Sequence, residues 1–552
     1  MTKWTPSVPC IIRVFMKRTC GLHRRVFAAL RFLFAECETR NPLLAVFCLS
    51  VAAGLSMSCG TETQRNSVIF ASSADATTLD PHNTTDSQSD QVIWMLYNAL
   101  IRYDENMHFV PDLAESWSVA EDDVTWTFKL RRGVRFHDGT PFDAHAVKGN
   151  FERVLDPEGG HNRRSLFLPI ERIEVVDDFT VNIVTEYPFG AFEPMMAHVS
   201  AAIVSPETAR KYGKDFGYSA EAVAGTGPYR VVRWRKDLEL VLERNDDYWG
   251  KLGKLDRIIY RPIPEAASRV IALEAGDVDV ITHIPPADLP RLEKDPDVTV
   301  TKTLSIGAQQ FRFHCKREPF TDPRVRRAVA YAIDRKSIID NLMPGMVAPS
   351  TGPLTPRIRG RADLGEFPYD PEIARELLTE AGYPDGFETK ITTTPRYIMG
   401  VEIAQAVAAQ LAEVGIRVEI EVLEWGSIRR YWGGLLPEDC PLEIFIMGAG
   451  ASSADADWGL RPIFSTQERN ENNYGFYSNA EFDELILKAM REIDTEKRNA
   501  LYRRAQEIVY LEDPGAVWMY DNYHVVGSRA TVHDLTTSPL GLVTFERAYL
   551  KP

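Results

Sequence analysis

The chain of 552 residues carries 63 Lys plus Arg against 78 Asp plus Glu, a net charge of −15, with 44% hydrophobic residues, 34 Pro and 35 Gly. That length makes two or three core-forming units and excludes both a mini-protein and a disordered chain. The acidic surplus excludes nucleic acid as a partner, because neutralisation of phosphates by Lys and Arg supplies most of the non-specific affinity for it.

Residues 1–58 reverse that balance, with eight basic residues (Lys3, Arg13, Lys17, Arg18, Arg24, Arg25, Arg31, Arg40) against Glu36 and Glu38. An uncharged apolar run of sixteen residues, Pro42 to Met57, follows the basic stretch. It is short for a membrane-spanning helix, which needs about 20 residues, and suits the apolar core of an export signal. Ser56, Ser58 and Cys59 resemble a bacterial lipobox, with Leu55 one place further from the cysteine than usual, which makes Cys59 the expected lipidation site. An uncleaved anchor is the alternative. Of seven cysteines, only Cys315 and Cys440 lie in the body that follows. Two cysteines are no disulfide framework and their spacing is no metal motif; an oxidising compartment permits them to pair, and two separate buried thiols fit equally.

From Val68 onward the pattern is strand-rich. The segment 124–130 alternates apolar and polar residues, and 134–136 reads as its hairpin partner across Arg132-Gly133. Asp143 then caps a helix whose apolar face is Val147, Phe151, Val154 and Leu155. Further strands are expected at 170–185, 229–234, 238–244 and 255–263. Past Val300 helices and strands alternate. Asp322-Pro323 and Asp370-Pro371 each place a cap before a proline at the first helical position. A strand at 387–394, a helix over about 399–414 and a strand at 416–423 make a βαβ unit, hence two parallel strands. An apolar strand at 442–448, helices near 479–491 and 495–511, and a strand at 516–520 complete an α/β unit.

Ligands of an open parallel sheet sit beyond the carboxyl ends of its strands, where loops and helix N-termini converge. Three such ends offer Arg396 and Tyr397, then Trp425, then the loop from Gly448 to Trp458 with Asp455 and Asp457. A cation, two aromatics and two carboxylates at one mouth suit a polar or zwitterionic small molecule. Each residue has a second reading: Trp425 as a packed rim aromatic, Arg396 as a solvated loop charge, and Asp455 and Asp457 as helix caps.

Taken in order, ATTLDP (76–81), PDLAESW (111–117), TWTFKLRRGVRFHDGTPFDAHAV (125–147), GTGPYRVVRW (225–234), LERNDDYWG (242–250), ALEAGDVDVI (272–281), FTDPRVRRAVAYAIDR (320–335) and LAEVGIRVEIEVLEW (411–425) resemble the family 5 extracellular solute-binding proteins, the peptide and nickel type receptors of ABC importers. The resemblance implies a two-lobed α/β clamshell of the type II periplasmic-binding-protein kind. Lobe I would be 60–298 plus 514–552, with an extra β-rich subdomain over about 104–220, and lobe II 299–513. It implies a monomeric receptor rather than an enzyme, without cofactor or metal, held outside the cytoplasm by lipid on Cys59. Such a receptor would capture a peptide-like or other polar solute between its lobes and deliver it to a permease with an ATPase subunit.

Carried over by position, the cleft residues are Thr78, Arg396, Tyr397, Trp425, Ser452, Asp455 and Trp458. Peptide-binding members that grip a free ammonium use an Asp where this chain has Ser452 or Ser453. A neutral hydroxyl is no counter-ion in a dry cleft, so either Asp455 substitutes or the cargo is a sugar, an opine-like compound or a capped peptide. Two rival readings remain, a lipoprotein that presents cargo to a sensor and a cleft hydrolase; the chain has no Gly-x-Ser-x-Gly elbow, His-Glu-x-x-His or phosphate loop.

Overall fold

The computed structural model describes residues 66–551; the export segment 1–58 and Cys59 lie outside the described residues. Among the described residues no helix is long and apolar enough to cross a membrane. The fold is α/β and two-lobed, and its backbone is one 11-stranded mixed sheet. From one edge the strands are Arg417–Val422, Glu388–Thr393, Ile444–Gly450, Val298–Phe313, Ala516–Arg529, Val280–Thr282, Ser67–Ser72, Arg257–Pro262, Glu239–Arg244 and Tyr229–Arg235, with Val347–Pro349 paired beside Ala516–Arg529.

The βαβ unit is present: Glu388–Thr393 and Arg417–Val422 pair in parallel, Glu388 opposite Arg417, around the helix Gly400–Glu413. Asp322 and Asp370 cap Pro323–Tyr331 and Pro371–Glu380, each accepting from backbone N–H groups of the first turn, with the proline where no N–H is needed. The faces these helices bury, Val325, Ala328 and Val329, then Ala374, Leu377 and Leu378, join one core with Ile391, Ile444 and Phe311 of the sheet.

Two long antiparallel strands, Val298–Phe313 and Ala516–Arg529, tie the two halves of the sheet together. Their pairing runs in register from Val298 to Leu304, breaks, and resumes at Ala308 opposite Asp521. Within the break, Gly307 N–H donates to Ser305 Oγ at 2.9 Å and Ile306 N–H to the Pro539 carbonyl at 3.0 Å. The expected strand at 516–520 with a β-like tail is one continuous strand as far as Arg529.

A separate four-stranded antiparallel sheet, Ala114–Val119, Thr125–Leu130, Thr180–Thr185 and Ile170–Asp177 in that spatial order, packs against the Asp143-capped helix Ala144–Leu155. Its core draws on residues from Leu100 to Ile203, plus Ala454 and Met490. Here one expectation is corrected. Residues 134–136 form no hairpin strand, because Thr125–Leu130 is already paired on both sides, by Ala114–Val119 and Thr180–Thr185; Arg135 keeps a single bridge to Pro141. Cys315 and Cys440 are separate free thiols, both buried.

Candidate functional site

The carboxyl ends of the three neighbouring strands of the α/β half bring Arg396, Tyr397 and Trp425 together. The Arg396 guanidinium carbon lies 4.2 Å from the centre of the Trp425 ring, a cation–π contact by an exposed arginine. Tyr397 meets Trp425 edge to face at 6.1 Å, and its hydroxyl accepts from Gly448 N–H at 3.0 Å. The aromatic series continues from Trp425 to Trp432 (4.9 Å) and from Trp432 to a stacked Tyr474 (5.4 Å). It presents π surface to any solute that Arg396 holds.

Two of the expected ligand residues are committed elsewhere. Asp455 is fully buried and N-caps the helix Ala456–Phe464, accepting from Asp457 N–H at 2.9 Å. Both of its oxygens are taken by Arg498, Oδ2 by Nη1 at 2.9 Å and Oδ1 by Nη2 at 2.5 Å. A carboxylate with a bidentate partner has no capacity left for a solute ammonium. Asp457 is likewise paired with Arg461, at 2.8 Å through each oxygen. Thr78, 3% exposed, is a turn residue: its hydroxyl donates to the Gly217 carbonyl at 3.3 Å and accepts from Asp80 N–H at 3.1 Å.

Ser452 is half-buried on the loop and Trp458 half-buried in the first turn of the helix that follows it, where it packs against the cores of both the α/β half and the inserted sheet. The inserted unit touches this loop directly. Tyr103 donates its hydroxyl to the Ser453 carbonyl at 2.7 Å, and the Arg359 guanidinium lies 4.6 Å over Phe109.

Bordering the Arg396 loop, a cavity of about 110 Å³ is lined by Ser72, Gln88, His283, Tyr523 and His524 together with Ile398 of that loop. His283 is exposed and lies in the positive fields of Arg269 and Arg396, and burial lowers the pKa of His524. Both imidazoles offer hydrogen bonds to the cavity. Among the described residues no group of three or more His, Cys, Asp or Glu is placed to hold a metal ion.

Sequence reasoning did not reach His283, His524, Tyr103 or Arg312. Arg312 is the one with a readable signal. From Gln310 to His314 polar and apolar residues alternate, which puts Gln310 and Arg312 on one face of the strand and Phe311 and Phe313 on the other.

With the geometry in hand, three comparisons are informative. The model of bacterial extracellular solute-binding proteins, family 5 (middle region), matches residues 108–471. The glutathione-binding protein GsiB of Escherichia coli K12 is 34% identical over 483 residues, 87% of this chain and 93% of its own. Two solved structures share the fold. The periplasmic binding protein DppA of Helicobacter pylori in complex with the peptide STSA is 30% identical with a TM-score of 0.75, covering 88% of this chain and 98% of that one. The binding protein AgaA of A. tumefaciens R10 in complex with agropinic acid is 27% identical with a TM-score of 0.73, covering 88% and 99%.

Proposed function

Because the chain belongs to the family 5 bacterial extracellular solute-binding proteins, we propose that it captures an acidic, peptide-like solute such as glutathione between its lobes and passes it unchanged to an ABC permease and its ATPase. The observation that carries the choice of cargo is charge at the mouth. Arg396 stands free on Trp425, while the two loop carboxylates, Asp455 and Asp457, are neutralised by Arg498 and Arg461. A solute carboxylate has a guanidinium to meet, and a solute ammonium finds no uncommitted carboxylate on that loop. Trp425, Tyr397 and Trp458 cover the middle of the solute, and Ser452 supplies a hydroxyl.

Lobes I and II, 60–298 plus 514–552 and 299–513, close about the two long strands, and the β-rich subdomain over about 104–220 meets lobe II at Ser453 and Arg359. Solute contacts made only in the closed form shift the population toward it, which is what allows a permease to tell loaded from empty receptor. The receptor acts as a monomer, outside the cytoplasm, tethered by lipid at Cys59, and makes no bond and breaks none.

The similarity to a protein solved with agropinic acid favours one second reading, an opine as cargo. Purified protein, refolded to remove carried-over ligand, is screened by thermal shift and native mass spectrometry against glutathione, dipeptides and opines. A shift and a one-to-one mass increment with glutathione support the proposal; capture of opines alone supports the second reading; no shift with any of them refutes both.

A further inference from the structure

Five arginines are buried among the described residues: Arg269, Arg312, Arg326, Arg335 and Arg498. Four of them have protein acceptors for their guanidinium groups. Arg269 donates to the carbonyls of Ile263, Pro264, Thr282 and His283, and Arg335 to those of Ala330, Ile333 and Trp518. Arg326 pairs with Asp513, and Arg498 pairs with Asp455 through both Nη atoms, its Nε alone being left without an acceptor. Arg312 differs in having no carboxylate or carbonyl partner. It is 3% exposed, its Nε and Nη1 are buried without an acceptor, and the fully buried Gln310, two residues earlier, has neither amide atom partnered.

Successive side chains of a strand alternate, so Gln310 and Arg312 share one face of the sheet, opposite Met447 and Phe445 on the neighbouring strand. The guanidinium stands between Phe464, 5.8 Å away, and Tyr474, 6.0 Å away. Burial lowers its pKa to about 10, so it keeps its charge at neutral pH. Such a charge without a counter-ion disfavours the folded state, and the two long ring contacts offset only part of that cost.

The missing partner has a direction from which to come. Tyr397 lies within the electrostatic reach of both Arg396 and Arg312, and Tyr474 closes the aromatic series that starts at Trp425. We propose that Arg312 and Gln310 form an inner anion subsite behind Tyr397 that takes a second carboxylate of the solute, so that the receptor selects dicarboxylates, with one acid group at Arg396 and the other at Arg312. The guanidinium and the Gln310 amide supply donors to the same carboxylate, and no proton changes hands. This rests on the reading above that the cleft holds an acidic peptide-like solute.

Titration calorimetry on refolded, ligand-free protein tests it, with glutathione, which has two carboxylates, and its glycine monoethyl ester, which has one. Wild type should prefer glutathione, and Arg312→Met should lose at least about 30-fold of that affinity and bind both probes alike, the penalty for removing one member of a buried charge pair. Arg312→Lys should recover part of the preference. Ligand-free Arg312→Met should melt at or above the wild-type temperature, because an uncompensated charge has been removed. A purely structural arginine gives the reverse, a lower melting temperature with both probes weakened in proportion, and that result overturns the proposal. Wild type that binds glutathione while Arg312→Met binds it equally well defeats the inner subsite alone. Wild type that binds neither glutathione nor any other dicarboxylate defeats the choice of cargo and the subsite together.

Discussion

Replacing Asp455 by Asn separates two accounts of the loop that ends the third strand. Asn keeps an oxygen to cap the helix Ala456–Phe464 and changes the volume little, but it leaves Arg498, 5% exposed, without its counter-charge. Breaking a buried ion pair from one side costs about 3–5 kcal/mol. The unfolding entropy of about 2.1 cal/mol/K per residue gives about 1 kcal/mol/K for roughly 490 described residues, so Tm should fall by about 3–5 °C if they melt together. If residues 299–513 melt on their own the same cost lowers Tm by about 7–11 °C. Differential scanning calorimetry on ligand-free protein reads the shift, and glutathione titration reads binding, which should weaken by no more than about threefold because no solute contact has been removed. If Asp455 instead grips a solute ammonium, Asn at this position leaves Tm within about 1 °C and abolishes binding. That pair of results would refute the assignment of Asp455 to structure.

Three further outcomes follow from the site and its surroundings. Arg396→Ala should weaken glutathione binding by about 10- to 100-fold, the loss of a charge-assisted hydrogen bond, with Tm unchanged because the side chain is exposed; Trp425→Ala should cost about tenfold, and unaltered affinity in both variants removes the mouth from the site. Stability should fall between pH 7 and pH 5: burial holds His82 and His198 down to about 3 and His137 to about 4, so the unfolded chain takes up protons below its ordinary 6.5 while the folded chain does not. Asp90, Asp112 and Asp521, raised by burial to about 6, take up protons in the folded state and act in the opposite direction over the same window, leaving a net loss on the order of 1–2 kcal/mol at pH 5. A melting temperature at pH 5 equal to or above that at pH 7 contradicts this. Cys59→Ala should abolish labelling by a radioactive or clickable fatty acid and leave the precursor unprocessed, and normal labelling excludes Cys59 as the acceptor.

What the sequence made legible was local. Asp322-Pro323 and Asp370-Pro371 begin helices because an Asx cap and a proline at the first turn satisfy the same unfilled donors in any fold. The spacing of 387–394, 399–414 and 416–423 led to the parallel pair and so to Arg396, Tyr397 and Trp425 at a common mouth. Partners distant in the chain were not legible. Whether 134–136 can pair depends on both edges of Thr125–Leu130 being free, and they are occupied from 114 and from 180 onward. Nothing around Asp455 announces that Arg498 will neutralise it, and the turn that absorbs the Thr78 hydroxyl is closed by Gly217. Arg312 was passed over for a different reason: no strand was expected over Val298–Phe313, so nothing placed Gln310 and Arg312 on a common face.

The register break at Ser305 to Gly307 ties two distant stretches of the chain together. Ile306 gives its N–H to the Pro539 carbonyl at 3.0 Å, so the bend in the first long strand is held by a segment that lies beyond the second. A change in the turn around Pro539 therefore reaches the strand pair that joins the two halves of the sheet without altering a residue of either strand.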